Sequence, residues 1–292
     1  MVGGVTPNKG LFGYKDEDYK KITCWVKENK CWQLLTEIPQ SVGRLYGVCQ
    51  VARDLLMFTG GSVGGVAQSV CWQLNLLSKM WTQLPSMTTR RCYHRSLHVG
   101  DSVIVVGGKS GKGPTKKVTG STEEFSLTQH QWTPLQAMPW PVWDPAATSH
   151  GHIAFVFGGR DDNNVNLLHT RAYDTKAGQW RTLGDMPEVC EFGAAVSLGQ
   201  YIYLVGGSTK TCLRYEPATD SWKNLSQPRL QHRNAPAVVW QGGILVTGSG
   251  FDPKLSEIEF YDPGTDEWSD WQASLEVKLD THRLFSVTLP GV

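Results

Sequence analysis

A chain of 292 residues with 28 Lys plus Arg against 27 Asp plus Glu carries a formal charge of +1, too balanced for a nucleic-acid backbone or an acidic membrane to be its main partner. Hydrophobic residues at 40%, with 12 Trp, exclude a disordered chain. No apolar stretch approaches the roughly 18 residues of a membrane-spanning helix.

In chain order, one unit recurs. The first copy opens at Gly3-Gly4 and continues to Trp25 and, seven residues on, Trp32. The second has Gly60-Gly61 and stretches the aromatic spacing to nine, Trp72 to Trp81. The third has Gly107-Gly108, Phe125 and Trp132, and the fourth Gly158-Gly159, Tyr173 and Trp180. Gly206-Gly207, Tyr215 and Trp222 make the fifth, and the sixth is imperfect, with Thr247-Gly248-Ser249-Gly250, Tyr261 and Trp268. The period of about 49 residues lies near the roughly 50 of a propeller blade. Within the fifth copy, alternation predicts four strands: Gly193 to Leu198, Tyr201 to Val205, Leu213 to Tyr215, and Ser221 to Lys223. A glycine pair lets backbones approach closely. Large aromatics such as Trp180 suit the widening wedge between blades.

The double glycine after four apolar residues, with the aromatic-x6-Trp spacing, resembles the kelch repeat over the whole chain. It departs from that repeat in the widened second copy, the Gly-Ser-Gly of the sixth, and Trp25 and Trp72 where Tyr is usual. The expected fold is all-β, a single six-bladed kelch β-propeller over 1–292. Its units are about 1–40 plus 281–292, 41–88, 89–139, 140–187, 188–228 and 229–280. The first copy has no room for a strand before Gly3-Gly4, and the segment Leu284–Leu289 has the look of that missing strand. Blade 1 is therefore expected to be closed by the C-terminal strand, which removes open sheet edges.

A chain that begins mid-blade reads as the end of a longer one and resembles the C-terminal propeller of BTB-BACK-kelch proteins. That resemblance implies a substrate-binding domain of a cullin-RING ubiquitin ligase adaptor. The N-terminal domains of such proteins dimerise and bind the cullin, while the propeller alone is monomeric. Kelch proteins of this kind also bind actin filaments, which gives the alternative reading of a cytoskeletal scaffold. A kelch-related copper oxidase stands third, without a metal constellation to support it. No cofactor or metal is expected. His94 and His98 are four apart, which in a strand is about 13 Å and not a helical metal pair. The seven cysteines (Cys24, Cys31, Cys49, Cys71, Cys92, Cys190 and Cys212) show no Cys-x-x-Cys spacing. Several lie in apolar strand patterns and read as small buried hydrophobes of a reducing, cytoplasmic protein.

With strands a to d running up and down, the b–c and d–a loops share one face, and they are the longer and more varied. Counting back from each glycine pair places Arg44, Tyr46, Arg91, Tyr93, Trp143, Asp144, Glu191, Phe192, His232, Arg233 and Asn234 there, and the C-terminal strand adds His282 and Arg283. The positions after the glycines add Ser62, Lys109, Arg160, Ser208 and Phe251. The kelch resemblance implies that these contact the substrate. Arg with aromatics between suits a protein or short peptide degron bearing a carboxylate.

Overall fold

The computed structural model describes residues 21–26, 31–248 and 257–271, nearly all of them strands and the turns that join them. The chain gathers into two compact units, Pro39–Val189 and Met1–Ile38 together with Cys190–Val292. The first described strands, β1 (Lys21–Val26) and β2 (Cys31–Glu37), pair antiparallel with Trp25 opposite Trp32.

Three four-stranded antiparallel sheets make up Pro39–Val189. The first runs β3 (Gly47–Ala52), β4 (Leu55–Thr59), β7 (Cys71–Asn75), β8 (Trp81–Leu84), with a hairpin of β5 (Ser62–Val63) and β6 (Val66–Ala67) in its b–c loop. The second runs β9 (Arg95–Val99), β10 (Ser102–Val106), β13 (Thr122–Ser126), β14 (Gln131–Leu135), and its b–c hairpin is β11 (Lys109–Ser110) with β12 (Lys117–Val118). The third is β15 (Ala146–His150), β16 (Ile153–Phe157), β17 (Thr170–Asp174) and β18 (Gln179–Leu183). In the other unit, β19 (Gly193–Leu198) to β22 (Ser221–Asn224) form one such sheet, with β20 (Tyr201–Gly206) and β21 (Thr211–Glu216) between. The last sheet is β23 (Ala237–Trp240), β24 (Gly243–Thr247), β25 (Ile258–Asp262) and β26 (Glu267–Asp270).

The described residues thus hold five four-stranded sheets rather than the six expected, and the first copy contributes only the β1–β2 pair. Gly3-Gly4 and the proposed closing strand Leu284–Leu289 lie outside the described residues.

The core sits on both faces of each second strand. Val103 and Val105 of β10 pack with Met57, Met87, Phe125 and Trp132, while Ile104 and Val106 turn to Val142, Ala154, Val156 and Tyr173. Alternation makes such a strand an unbroken apolar run when sheets cover both its faces. In the other unit Tyr203 and Val205 pack with Ile244, Val246 and Tyr261.

The second copy is not widened. Leu74, not Trp72, stands opposite Trp81, just as Phe125 stands opposite Trp132 and Tyr173 opposite Trp180. The spacing of seven survives with a leucine in the aromatic slot, and Trp72 instead donates its indole N–H to Ser41 Oγ at 3.1 Å. Three of the repeating tryptophans do more than fill space. Trp132, Trp180 and Trp268 donate their Nε1–H to the main-chain carbonyls of Pro85, Gln136 and Ser226, each just past the last strand of the preceding sheet, at 2.8, 3.0 and 2.6 Å. Trp132 is buried, whereas Trp180 is only half-buried.

Candidate functional site

The glycine pairs are where two loops meet. Gly60 has φ 58°, and a Cβ there would come within 2.5 Å of the Arg91 carbonyl; Gly108, at φ 97°, would press Cys92 in the same way at 2.6 Å. Glycine is the residue that tolerates both conditions. The residue after each pair then bonds the d–a loop of its own sheet. Arg44 and Ser62 exchange backbone bonds of 3.0 and 2.7 Å, Cys92 and Lys109 bonds of 3.0 and 2.8 Å, and Trp143 and Arg160 bonds of 2.9 and 3.0 Å. Ser208 N–H donates to the Glu191 carbonyl at 3.0 Å in the other unit. The two sets of positions picked from the sequence are therefore joined to each other by main-chain bonds.

The next residue along each d–a loop is left-handed: Leu45, Tyr93 and Asp144 have φ of 61°, 58° and 50°, and Phe192 and Asn234 of 60° and 57°. Leaving the right-handed basin costs roughly 1–2 kcal/mol for a residue with a Cβ. The geometry that requires it is a chain of bonds between successive loops. Tyr93 N–H donates to Leu45 O at 2.9 Å and Asp144 N–H to Tyr93 O at 2.8 Å; in the other unit Asn234 N–H donates to Phe192 O at 2.9 Å.

Within Pro39–Val189 the structure brings together Tyr93, Lys109, Trp143, Asp144 and Arg160. Trp143 is the floor of the cluster, 8% exposed, with Tyr93 edge-on at 5.2 Å, Lys109 Nζ 3.8 Å above its ring and Arg160 5.6 Å from it. Arg160 is also held by Asn166 Oδ1 at 2.8 Å, and Asp144 by Arg95 at 2.8 Å. Burial pulls the Lys109 ammonium below its ordinary pKa, with Lys116 and Arg160 pushing the same way against Asp162. In the other unit Arg233 lies over Phe192 at 4.4 Å, with Glu191 and Asn234 beside them in the same loops.

Four expected contact residues have other work. Tyr46 is buried against Phe58 at 5.4 Å. Trp143 is buried too, so its position on a loop does not make it a free surface aromatic. Arg91 is wholly buried and bonds Gly107 O, Ser121 and, at 2.5 Å, Glu123 Oε1. His232 is wholly buried between Gly248 O at 3.0 Å and Glu259 Oε2 at 2.7 Å. Both carboxylates also cap the preceding loop: Glu123 accepts from Thr88 N–H, Thr88 Oγ1–H and Thr89 N–H, and Glu259 from Arg229 N–H and Leu230 N–H. Burial alone would raise these carboxyls, but Thr88 and Arg91 outweigh it for Glu123, and His232 with the loop amides does so for Glu259. Each ends below the usual carboxylate range. Phe251, His282 and Arg283 lie outside the described residues.

A count from the glycines missed Lys112, Lys116 and Lys117, which share the β11–β12 hairpin with Lys109. That hairpin leans on both neighbouring loops. Ala67 N–H donates to Gly111 O and Gly113 N–H to Gly65 O, at 3.0 and 2.9 Å; Lys116 Nζ reaches Ser62 Oγ at 3.1 Å, and Val118 N–H donates to Asp162 Oδ1 at 2.8 Å. Four lysines in nine residues were the available signal.

Among the described residues no cluster of His, Cys and carboxylates could hold a metal, and His94 bonds Thr59 Oγ1 at 2.8 Å inside the core. No helix among them is long and apolar enough to cross a membrane. Cys49, Cys71, Cys92, Cys190 and Cys212 are buried and form no disulfide among the described residues, and burial lifts the Cys49 and Cys71 thiols to about 12.

Comparison with known proteins accounts for this plan. Human Kelch-like protein 23 is 25% identical over 263 residues, covering 88% of this chain and 46% of that protein. Human Kelch-like protein 38 is 26% identical over 289 residues, covering 93% of this chain and 48% of that protein. The chain thus spans about half the length of the curated relatives it matches. The solved structure of YjhT superposes with a TM-score of 0.68 at 15% identity, over 80% of this chain and 84% of the other. That likeness speaks to fold alone, and the fold is an all-β β-propeller. The KLHDC2/KLHL20/DRC7 Kelch-repeats domain matches residues 3–207 and 93–289, so with its glycine pairs, tryptophan bonds and joined loops the chain belongs to the kelch-repeat family.

Proposed function

We propose that this chain is a protein-recognition module whose b–c and d–a loops hold a carboxylate-bearing peptide segment, serving as the substrate-binding part of a cullin-RING ubiquitin ligase adaptor inside the cell. The observation that carries the binding reading is the Lys109–Lys117 hairpin. Its four ammonium groups form no ion pair among the described residues, although Asp161 and Asp162 lie close by in sequence to Arg160. Asp161 Oδ1 is occupied by Asn163 N–H and Val165 N–H, and Asp162 Oδ1 by Val118 N–H. Main-chain bonds to the neighbouring loops already order the hairpin that carries these cations, so less of the chain has to be ordered when an anion arrives.

The ligase reading is supported by family membership and by the share of the kelch-like relatives that this chain spans, about half of their length, which is the share expected of a substrate-binding part. On this reading the chain does no chemistry, needs no cofactor, and leaves ubiquitin transfer to its partners. The same reading takes 1–292 as one domain of six blades with Leu284–Leu289 completing blade 1.

Reversing Lys112 and Arg160 to Glu should weaken capture of an acidic partner by about 2 kcal/mol or more, and added salt should slow association first. Pull-downs with wild-type and reversed chains, read by mass spectrometry, provide the test. Recovery of the same partners by both would defeat the reading, and binding to actin filaments without competition by a short acidic peptide would favour a scaffold instead.

A further inference from the structure

Three repeats place a nitrogen donor under the carbonyl of the first glycine of their pair: Arg91 Nη1 at 3.0 Å from Gly107 O, His232 Nδ1 at 3.0 Å from Gly248 O, and Arg171 Nη1 at 3.2 Å from Gly158 O. In the first two the donor comes from the d–a loop, sixteen residues before the glycine, and a strand carboxylate two residues before the aromatic completes it. The fourth repeat reverses the arrangement. Val142, wholly buried, stands where Arg91 and His232 stand, and Arg171 stands where Glu123 and Glu259 stand. The loop amide that Thr88 offers to Glu123 has no counterpart either, because the matching residue is Pro139.

Arg171 is completely buried, and its Nε and Nη2 have no hydrogen-bond partner. A buried donor left unmade is costly, more so on a cation. Among the described residues the acid acting on it is Asp185, whose Oδ1 is engaged by His169 Nδ1 at 3.1 Å. Burial draws the guanidinium down to about 10, with Asp185 opposing. Trp140, in the loop that contains Pro139 and Pro141, lies with its ring 4.9 Å from His169; it is 49% exposed and held at φ 50°, a conformation rare for so bulky a residue. His169 lies two residues before Arg171, just ahead of β17, and its carbonyl accepts from Gly158 N–H at 3.0 Å.

We propose that Arg171 is the base of a carboxylate-binding site, in which an incoming carboxylate, admitted by movement of Trp140 and His169, supplies the partner that Glu123 and Glu259 supply from within their own repeats. The site is independent of the lysine hairpin. Its ligand is a carboxylate, either free in a small molecule or on an Asp or Glu side chain of a bound polypeptide.

The test is a melting series in sodium acetate against sodium chloride at matched ionic strength and neutral pH. Acetate should raise the Tm of the wild-type chain saturably by roughly 3 °C over chloride, and Arg171→Met should abolish the rise. Should Arg171→Met fail to fold, Val142→Glu serves. Its own carboxylate faces Arg171, so it should melt higher than wild type and no longer respond to acetate. A blocked Gly-Asp-Gly peptide that outdoes acetate assigns the site to acidic side chains, and a response to acetate alone assigns it to small free carboxylates. Equal melting of the wild type in acetate and chloride would overturn the proposal, as would an acetate response that survives in a folded Arg171→Met or Val142→Glu.

Discussion

Removing the Arg91 side chain leaves the Glu123 carboxylate buried without its cation, and breaking such a pair from one side typically costs about 3–5 kcal/mol. Arg91→Ala should therefore lower stability by that amount in equilibrium denaturation, while a mutation confined to a contact surface would leave stability almost unchanged. The Glu123 and Glu259 carboxyls are held below their ordinary value of 4.5, so their contribution is complete above that pH and is lost as pH falls through their folded values. A melting series from about pH 7 down to about pH 3 should show a steepening loss, and Glu123→Gln should flatten it. The sequence could not reveal that Arg91 and His232 are committed in this way. Their carboxylates lie 32 and 27 residues further on, and a count back from the glycines fixes a residue's place in the loop without saying which way its side chain turns.

At the scale of the element, Trp132, Trp180 and Trp268 act as straps as well as fillers. Trp180→Phe keeps most of the ring but loses the bond to the Gln136 carbonyl, and should cost about 1 kcal/mol; a change within experimental error would show that the half-buried indole is only packing. Strands were the legible part of the sequence, because double glycine and aromatic-x6-Trp are both demanded by close approach and show up as spacing. The expected strands of the fifth copy fall within β19 to β22. Trp72 misled by being aromatic, since the register is set by whichever residue faces Trp81, and Leu74 does so. The β5–β6 and β11–β12 hairpins have two-residue strands, too short for alternation to mark, and what orders them is bonding to neighbouring loops rather than their own composition.

For the whole molecule, the closure of blade 1 has a mechanical consequence. If Leu284–Leu289 completes blade 1, truncation after Asp280 strips that sheet of a strand and leaves edges unpaired, so melting should fall sharply or aggregation set in; a truncated chain that melts like the full one would sink that arrangement. The left-handed residues of the d–a loops carry a different consequence. Main-chain bonds tie Leu45 to Tyr93 and Tyr93 to Asp144, and Phe192 to Asn234. Their side chains share neither size, charge nor polarity, and a main-chain bond asks for none of these. A propeller built this way can change the side chains at these joints, one loop at a time, while the main-chain bonds between the loops persist. Selection for a new ligand at these positions would start from a chain already folded.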